Sequence, residues 1–414
     1  MSSQHSTVTI HGRTYNLPTN PTVIVCVDGF DPEYLERGIA EGILPTMEGF
    51  VKQGFHQTAQ CAMPSLTNPN NVSIITGVPT AIHGISGNFF LDRETGKEEM
   101  ILDDKFLWGS TILEFMSKRG VRVAAITAKD KLRLILKHGL EGAICFSSQY
   151  AKDCTVAENG IDNVEEWVGR STPSQYSGDL SIFVLDAGIR VLQEKRADLL
   201  YLTLSDFIQH KHAPGSKESN EFLSALDNRL GEMVKLGATV AVTGDHGMSD
   251  KAKADGTPMV LFLEDALEAK FGKTKGFARV ICPITDPFVK HHGALGGFVR
   301  LYINDKSVDN QQILDFCKSL PQVEAALTGK EAAAKYEMPL EREGDFVVIS
   351  KENAVIGTRK EEHDLSSLKG HRLRSHGGLS EQAIPLLKSI PTDRVVEPGK
   401  VWRNFDIFDL ALNP

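Results

Sequence analysis

The sequence predicts an α/β fold, a doubly wound and mostly parallel sheet flanked by helices, with a smaller α+β cap inserted towards its end. Three observations carry this. Short β-branched apolar runs alternate with stretches at helical spacing, as βαβ units require. Several of those runs stop abruptly at an Asp, and after Gly256 the alternation gives way to mixed strand and helix pieces. At 414 residues the chain is long enough for one large core and a second, smaller unit.

Taken in order, Thr22 to Val27 is the first apolar strand. Val121 to Ile126 follows a helix that ends near Gly120, Leu199 to Leu204 is the third strand, and Val240 to Val242 lies in a fourth. Leu180, Phe183, Val184, Ala187 and Val191 recur at helical spacing, as do Phe222, Leu223, Leu226, Leu230 and Met233. Strand-like pieces at Met259 to Leu263, Ala278 to Ile281, Phe298 to Ile303 and Phe346 to Ile349 then mix with helical patterns at Gln311 to Leu320 and Leu327 to Tyr336. A charged, loop-rich stretch from Lys351 to Lys369 precedes the closing apolar segments. The division expected is therefore a core of residues 1–256 and 370–414 and a cap of 257–369.

Composition narrows the function. With 45 Lys and Arg against 54 Asp and Glu, the net charge of −9 supplies no general field for a nucleic-acid backbone, so an anionic substrate must meet local cations. The six cysteines lack C-x-x-C spacing and read as buried, reduced thiols. Met1 to Ile10 has neither a basic nor an apolar leader region, and no stretch is long and apolar enough to span a bilayer, so no membrane partner and a cytoplasmic location are expected. A homodimer is expected only on the general commonness of that state.

The strand ends carry the chemistry. In open α/β sheets, ligands collect beyond the carboxyl ends of the strands. The run Ala238 to Gly244 leads straight into Asp245-His246, the first strand into Asp28-Gly29, and the third into Ser205-Asp206 with His210 four residues on. If Asp206 begins a helix, that spacing sets both side chains on one face, within reach of one ion, with His212 as a rival ligand. His376 follows the cap in a Ser-His-Gly-Gly loop. Histidines beside carboxylates suit borderline divalent cations, two in number here: zinc first, with manganese or iron as substitutes. Thr67 stands before Asn68-Pro69 at the start of a short helical pattern ending at Gly77. It is either an N-cap or a hydroxyl that a nearby cation makes nucleophilic, and Ser65 and Ser73 are its rivals. The positive end of that helix suits a phosphoryl oxygen.

These pieces, in this order, resemble the alkaline phosphatase superfamily. Pro64 to Asn70 and Ile82 to Asn88 are most similar to its branch of nucleotide pyrophosphatases and phosphonoacetate hydrolases. Asp28-Gly29-Phe30-Asp31, Gly87-Asn88 and Thr127-Ala128-Lys129-Asp130-Lys131 favour the latter group. The resemblance implies that Asp28, Thr67, Asp245 and His246 hold one ion and Asp206, His210 and His376 the other. Thr67, Asn88, Lys129, Lys131 and His210 would contact the substrate, Lys129 being the first choice for its carboxylate and Lys131 the second. The implied reaction cleaves the C–P bond of phosphonoacetate to acetate and phosphate through a phosphothreonine, with the lysines stabilising an enediolate leaving group.

Other readings keep the same metals. A phosphodiesterase, nucleotide pyrophosphatase or phosphomonoesterase would share the site, and a nucleotide would want Phe30, Phe89 or Phe90 to stack its base. A phosphoglycerate mutase would want a richer ligand set around a Ser, and a non-catalytic metal-binding protein would bind metal without turnover. His291 and His292 could reach the site from the cap, although surface loop positions are the first expectation for both.

Overall fold

The computed structural model describes residues 7–285, 292–368, 370–394 and 398–413. Its centre is a seven-stranded sheet in the order Phe55–Gln60, Ala383–Lys388, Thr239–Gly244, Thr22–Val27, Leu199–Thr203, Val123–Thr127, Ile144–Ser147. The last five are mutually parallel, Ala383–Lys388 runs antiparallel to them, and the edge strand Phe55–Gln60 runs antiparallel to Ala383–Lys388. All six residues of Thr22–Val27 and all five of Leu199–Thr203 are buried, as strands covered on both faces must be.

Two apolar clusters cover the sheet's faces. One packs helices Asp179–Gln193 and Lys217–Lys235 on Val23, Val25, Leu200, Leu202, Val240 and Val242. The other seats Ile74, Ile112, Met116 and the C-terminal Ile407–Leu412 helix on Ile24, Tyr201 and Ala241. Alternation along each strand produces the two sets. The four named core strands all form, and three more join them.

Between residues 257 and 369 lies a second sheet, in the order Ala278–Ile281, Phe298–Ile303, Phe346–Ser350, Val323–Thr328, with every neighbouring pair antiparallel. It has its own apolar cluster around Leu267, Val280, Leu301 and Ile313. The helical pattern at Leu327 to Tyr336 divides here: Val323–Thr328 is strand, and Thr328 caps the Gly329–Tyr336 helix through a capping box with Glu331. Pairing with Phe346–Ser350 carries the strand through Leu327 to Thr328, and the backbone N–H groups of the helix then need Thr328.

Candidate functional site

Register brings the strand-terminal acids together. Gly244 pairs with Val27 and Cys26 with Thr203, so three adjacent parallel strands end at nearly one level. Asp28 and Asp245 leave side by side, and Asp206 follows the third strand. None of the three is spent on capping. The helix after Asp28 is capped by Asp31, which accepts from the Glu33 N–H, and Asp206 precedes the Phe207–Lys211 helix without a side-chain capping bond. Gly29 adopts φ +70, and a Cβ there would press on Gln209 and Met248, so the turn after Asp28 needs glycine.

The side chains converge as two groups. Asp206, His210 and His376 offer ligand atoms within 4.8 Å of one another, and so do Asp28, Asp206 and His246. His210 Nε2 lies 2.8 Å from Asp206 Oδ2, and His376 Nε2 lies 3.8 Å from the same oxygen. His246 Nε2 lies 3.2 Å from Asp28 Oδ1 and 3.2 Å from Thr67 Oγ1. Asp245 stands just outside, its Oδ1 3.8 Å from His246 Nε2, and it accepts from Gly29 N–H, His246 N–H and Asn71 Nδ2. His376 is delivered by the pairing of Arg374–Ser375 with Ser249–Asp250, just beyond His246, and its ring stacks on His246 at 3.5 Å.

The donor set fits divalent cations. Each imidazole donates Nδ1–H to a backbone carbonyl: His210 to Arg374, His246 to Gly247 and His376 to Ser65, at 2.7 to 2.8 Å. A carbonyl can only accept, so the tautomer is fixed and every Nε2 is turned towards the carboxylates, as metal-ligating histidines are arranged. Asp28 is fully buried, yet neither of its oxygens accepts a hydrogen bond. Burial first, and then the charge of Asp28, push the Asp245 carboxyl well above its ordinary range. Burial opposes the His246 cation, but Asp245 and Asp28 outweigh it and hold that imidazole up at about 9. Burial, then His246 and His210, push His376 well below its ordinary value and keep it a neutral donor.

Thr67 opens the Thr67–Thr76 helix as its first residue. Leu66 occupies the N-cap position without a side-chain cap bond, so the capping alternative for Thr67 does not hold. The rival hydroxyls are committed elsewhere: Ser65 Oγ donates to Gly378 O and accepts from Gly377 N–H, and Ser73 Oγ pairs with His83 Nε2. His212 lies against Glu218, at 3.5 Å, and is in neither close group. Asn71, one turn beyond Thr67, ties the helix to the site by donating to Thr67 O and Asp245 Oδ2 while accepting from Tyr201 OH. Sequence reasoning missed Asn71, although its i,i+4 spacing from Thr67 was a usable signal.

A cavity opens at Thr67, and among the described residues Asn68, Asn88, Lys129, Lys131, Asp206 and His292 help to line it. Lys129 Nζ lies 3.2 Å from Asp206 Oδ1. Asn88 is buried, its N–H held by Pro283 O at 2.7 Å, and its Oδ1 lacks a partner. The surface-loop expectation for His292 is wrong: it is buried, with its ring 5.2 Å from that of His210. A loop histidine reads as exposed from its local sequence, and tertiary packing is what turns this one inward. His291 lies outside the described residues. No Phe, Tyr or Trp is among the described lining residues. Phe30 is sealed in the core and Phe90 packs edge-on against Phe106.

Comparison with known proteins agrees in part and in whole. Residues 22–379 match the family described as type I phosphodiesterase / nucleotide pyrophosphatase. Crystal structures of phosphonoacetate hydrolase from Sinorhizobium meliloti 1021, in complex with phosphonoformate and with phosphonoacetate, are 44% identical, with TM-score 0.93, over 100% of this chain and 99% of that one. A phosphonoacetate hydrolase of Penicillium oxalicum is 50% identical over 52 residues, 12% of this chain and 72% of that sequence. An uncharacterised pyrophosphatase/phosphodiesterase of Schizosaccharomyces pombe is 26% identical over 58% of this chain and 48% of its own length. The chain thus matches about half the length of the pyrophosphatase/phosphodiesterase relatives.

Proposed function

The chain belongs to the type I phosphodiesterase / nucleotide pyrophosphatase family, and within it we propose that it is a metal-dependent hydrolase cleaving the C–P bond of phosphonoacetate to acetate and phosphate. The observation that carries this reading is the shared cavity, in which Thr67 and two lysines face one space and no described aromatic side chain offers a stacking surface for a base. The full-length likeness to the Sinorhizobium enzyme supports it.

Asp28, Thr67, Asp245 and His246 would hold one cation and Asp206, His210 and His376 the other, with zinc the best match to this mixture of imidazole and carboxylate. Such ions supply Lewis acidity, which acidifies a hydroxyl and shares the charge of phosphonyl oxygens. Thr67 Oγ gives up its proton and attacks phosphorus in line, forming an O–P bond as the P–C bond breaks. The departing electron pair needs the adjacent carboxylate to spread it as an enediolate, because a bare carbanion is too basic to leave. Lys129 and Lys131 pair with that carboxylate and act most strongly as its charge grows. Asn88 donates an amide hydrogen to a phosphonyl oxygen. The enediolate takes up a proton to become acetate, and water then cleaves the phosphothreonine to return Thr67 and phosphate.

The six cysteines, all buried and none in a disulfide, support a cytoplasmic setting as part of the same proposal. Among the described residues no helix is long and apolar enough to cross a membrane. Phosphorus and proton NMR of zinc-loaded protein test the reading: phosphonoacetate should yield phosphate and acetate in equal amounts. Cleavage of a nucleotide diester with phosphonoacetate left intact would overturn it.

A further inference from the structure

Three asparagines follow Thr67 within one turn of the same helix, at 68, 70 and 71, and two of them are occupied by the fold. Asn70 Nδ2 reaches the carbonyls of Ala62, Pro64 and Leu66 and clamps the loop before the helix. Asn71 joins Thr67 O to Asp245. Asn68 differs. It is only 3% exposed, its Nδ2 has no hydrogen-bond partner, and it lines the cavity with Thr67, Lys129 and Lys131.

A buried amide left unpaired is costly, and folded proteins rarely leave one without a reason. Packing would be served as well by an apolar side chain of this size. The donor is therefore there for something that enters the cavity, and since N–H donates, that something accepts. Successive helix positions diverge by about 100°. Thr67 Oγ1 is turned to His246 at 3.2 Å, so Asn68, one position on, addresses another sector of the same cavity, which Lys129 and Lys131 also line.

We propose that Asn68 is a specificity-determining residue whose amide donates to the carboxylate of the substrate. The assignment rests on the C–P hydrolase reading for its ligand and on the buried, unpaired Nδ2 for its residue. A neutral donor complements the lysines, because its strength depends on direction and lets the site select a planar carboxylate over other anions. It also adds no positive charge beside the ligands of the cations.

The test compares two phosphonates that differ by a carboxylate. Zinc-loaded wild type, Asn68→Ala and Asn68→Asp are titrated calorimetrically with phosphonoformate and with methylphosphonate. Wild type should prefer phosphonoformate. Asn68→Ala should lose roughly 5- to 100-fold for phosphonoformate, the cost of an unmade buried hydrogen bond, with methylphosphonate changed less than about threefold. Asn68→Asp, nearly isosteric and so a guard against misfolding of the Ala variant, should lose more because it sets a carboxylate against a carboxylate. Equal weakening for both ligands, no weakening, or no preference in wild type overturns the assignment. Wild type that prefers phosphonoformate yet leaves phosphonoacetate uncleaved would overturn the proposed reaction while the Asn68 assignment stands on binding.

Discussion

Replacing Lys129 by Ala separates recognition of the leaving group from the rest of the chemistry. The ammonium lies 3.2 Å from Asp206 Oδ1, and its side chain is 29% exposed. A carboxylate about 4 Å from such a group interacts by about 4 kcal/mol at an effective dielectric of 20. Solvent screening at this exposure and the remaining Lys131 reduce that to about 2 kcal/mol, or roughly 30-fold in kcat/KM for phosphonoacetate. Most of the loss should fall on kcat, because the carboxylate charge grows towards the enediolate. An aryl phosphate monoester carries no carboxylate and should lose less than about threefold. Loss of metal cannot imitate this pattern, since removing a cation beside Asp206 makes the ligand cluster more negative. The assay is steady-state kinetics on both substrates with metal content measured alongside. Equal losses on the two substrates, or a fall in bound metal, would refute the carboxylate role.

Thr67→Ala should abolish phosphate release while the purified variant still binds about two metal ions per chain; retained turnover would remove Thr67 as nucleophile. His83 is held neutral, its pKa pushed down to about 3 chiefly by burial, while it accepts from Ile85 N–H and pairs with Ser73. Its folded pKa lies below the unfolded value, so the unfolded chain gains the proton first: stability is complete above about pH 6.5 and falls by about 1.4 kcal/mol per pH unit down towards pH 3. His83→Gln should flatten that part of the urea-unfolding pH profile, and an unchanged slope would contradict it. Arg300, fully buried, donates to both oxygens of the equally buried Glu343 and to the Ser86 carbonyl and hydroxyl. Arg300→Met should cost about 3–5 kcal/mol of unfolding free energy by stranding the carboxylate, and adding Glu343→Leu should restore most of it; a double variant no better than the single would disprove the pairing.

What the sequence disclosed follows from how parallel sheets are built. A strand buried on both faces is apolar throughout, so Thr22–Val27 and Leu199–Thr203 stand out, and an acid directly after each is visible as a break. The antiparallel strands are hidden for definite reasons. Phe55–Gln60 is an edge strand with half its residues exposed. Ala383–Lys388 contains Pro385, which argues against an interior strand. Pro385 lies outside the register with Thr239–Gly244, which takes in Leu386, Leu387 and Lys388, and faces Thr58 of the edge strand instead. Asn68 lies inside the Pro64 to Asn70 motif and His292 in a Lys-His-His-Gly run, but neither context says which way the side chain faces. Whether such a residue meets a cavity or solvent is decided by helix rotation and by packing against segments hundreds of residues away, as with Thr80, whose hydroxyl reaches Glu337 O.

The candidate metal-binding cluster alone does not decide the leaving group. Three buried carboxylates, Asp28, Asp206 and Asp245, meet one ammonium from Lys129 and one raised imidazole from His246. Burial and the charge of Asp28 push the Asp245 carboxyl towards its neutral form, so a cation held there would displace protons and restore charge. That exchange serves an ester and a phosphonate equally, since both present the same phosphoryl oxygens to the ions. An ester oxygen departs with its own electronegativity, whereas carbon departs only if its electron pair is shared with a carboxylate. Groups that touch that carboxylate are therefore the ones that convert a phosphodiesterase-type centre to C–P cleavage, and the described cavity offers three of suitable chemistry: Lys129, Lys131 and Asn68.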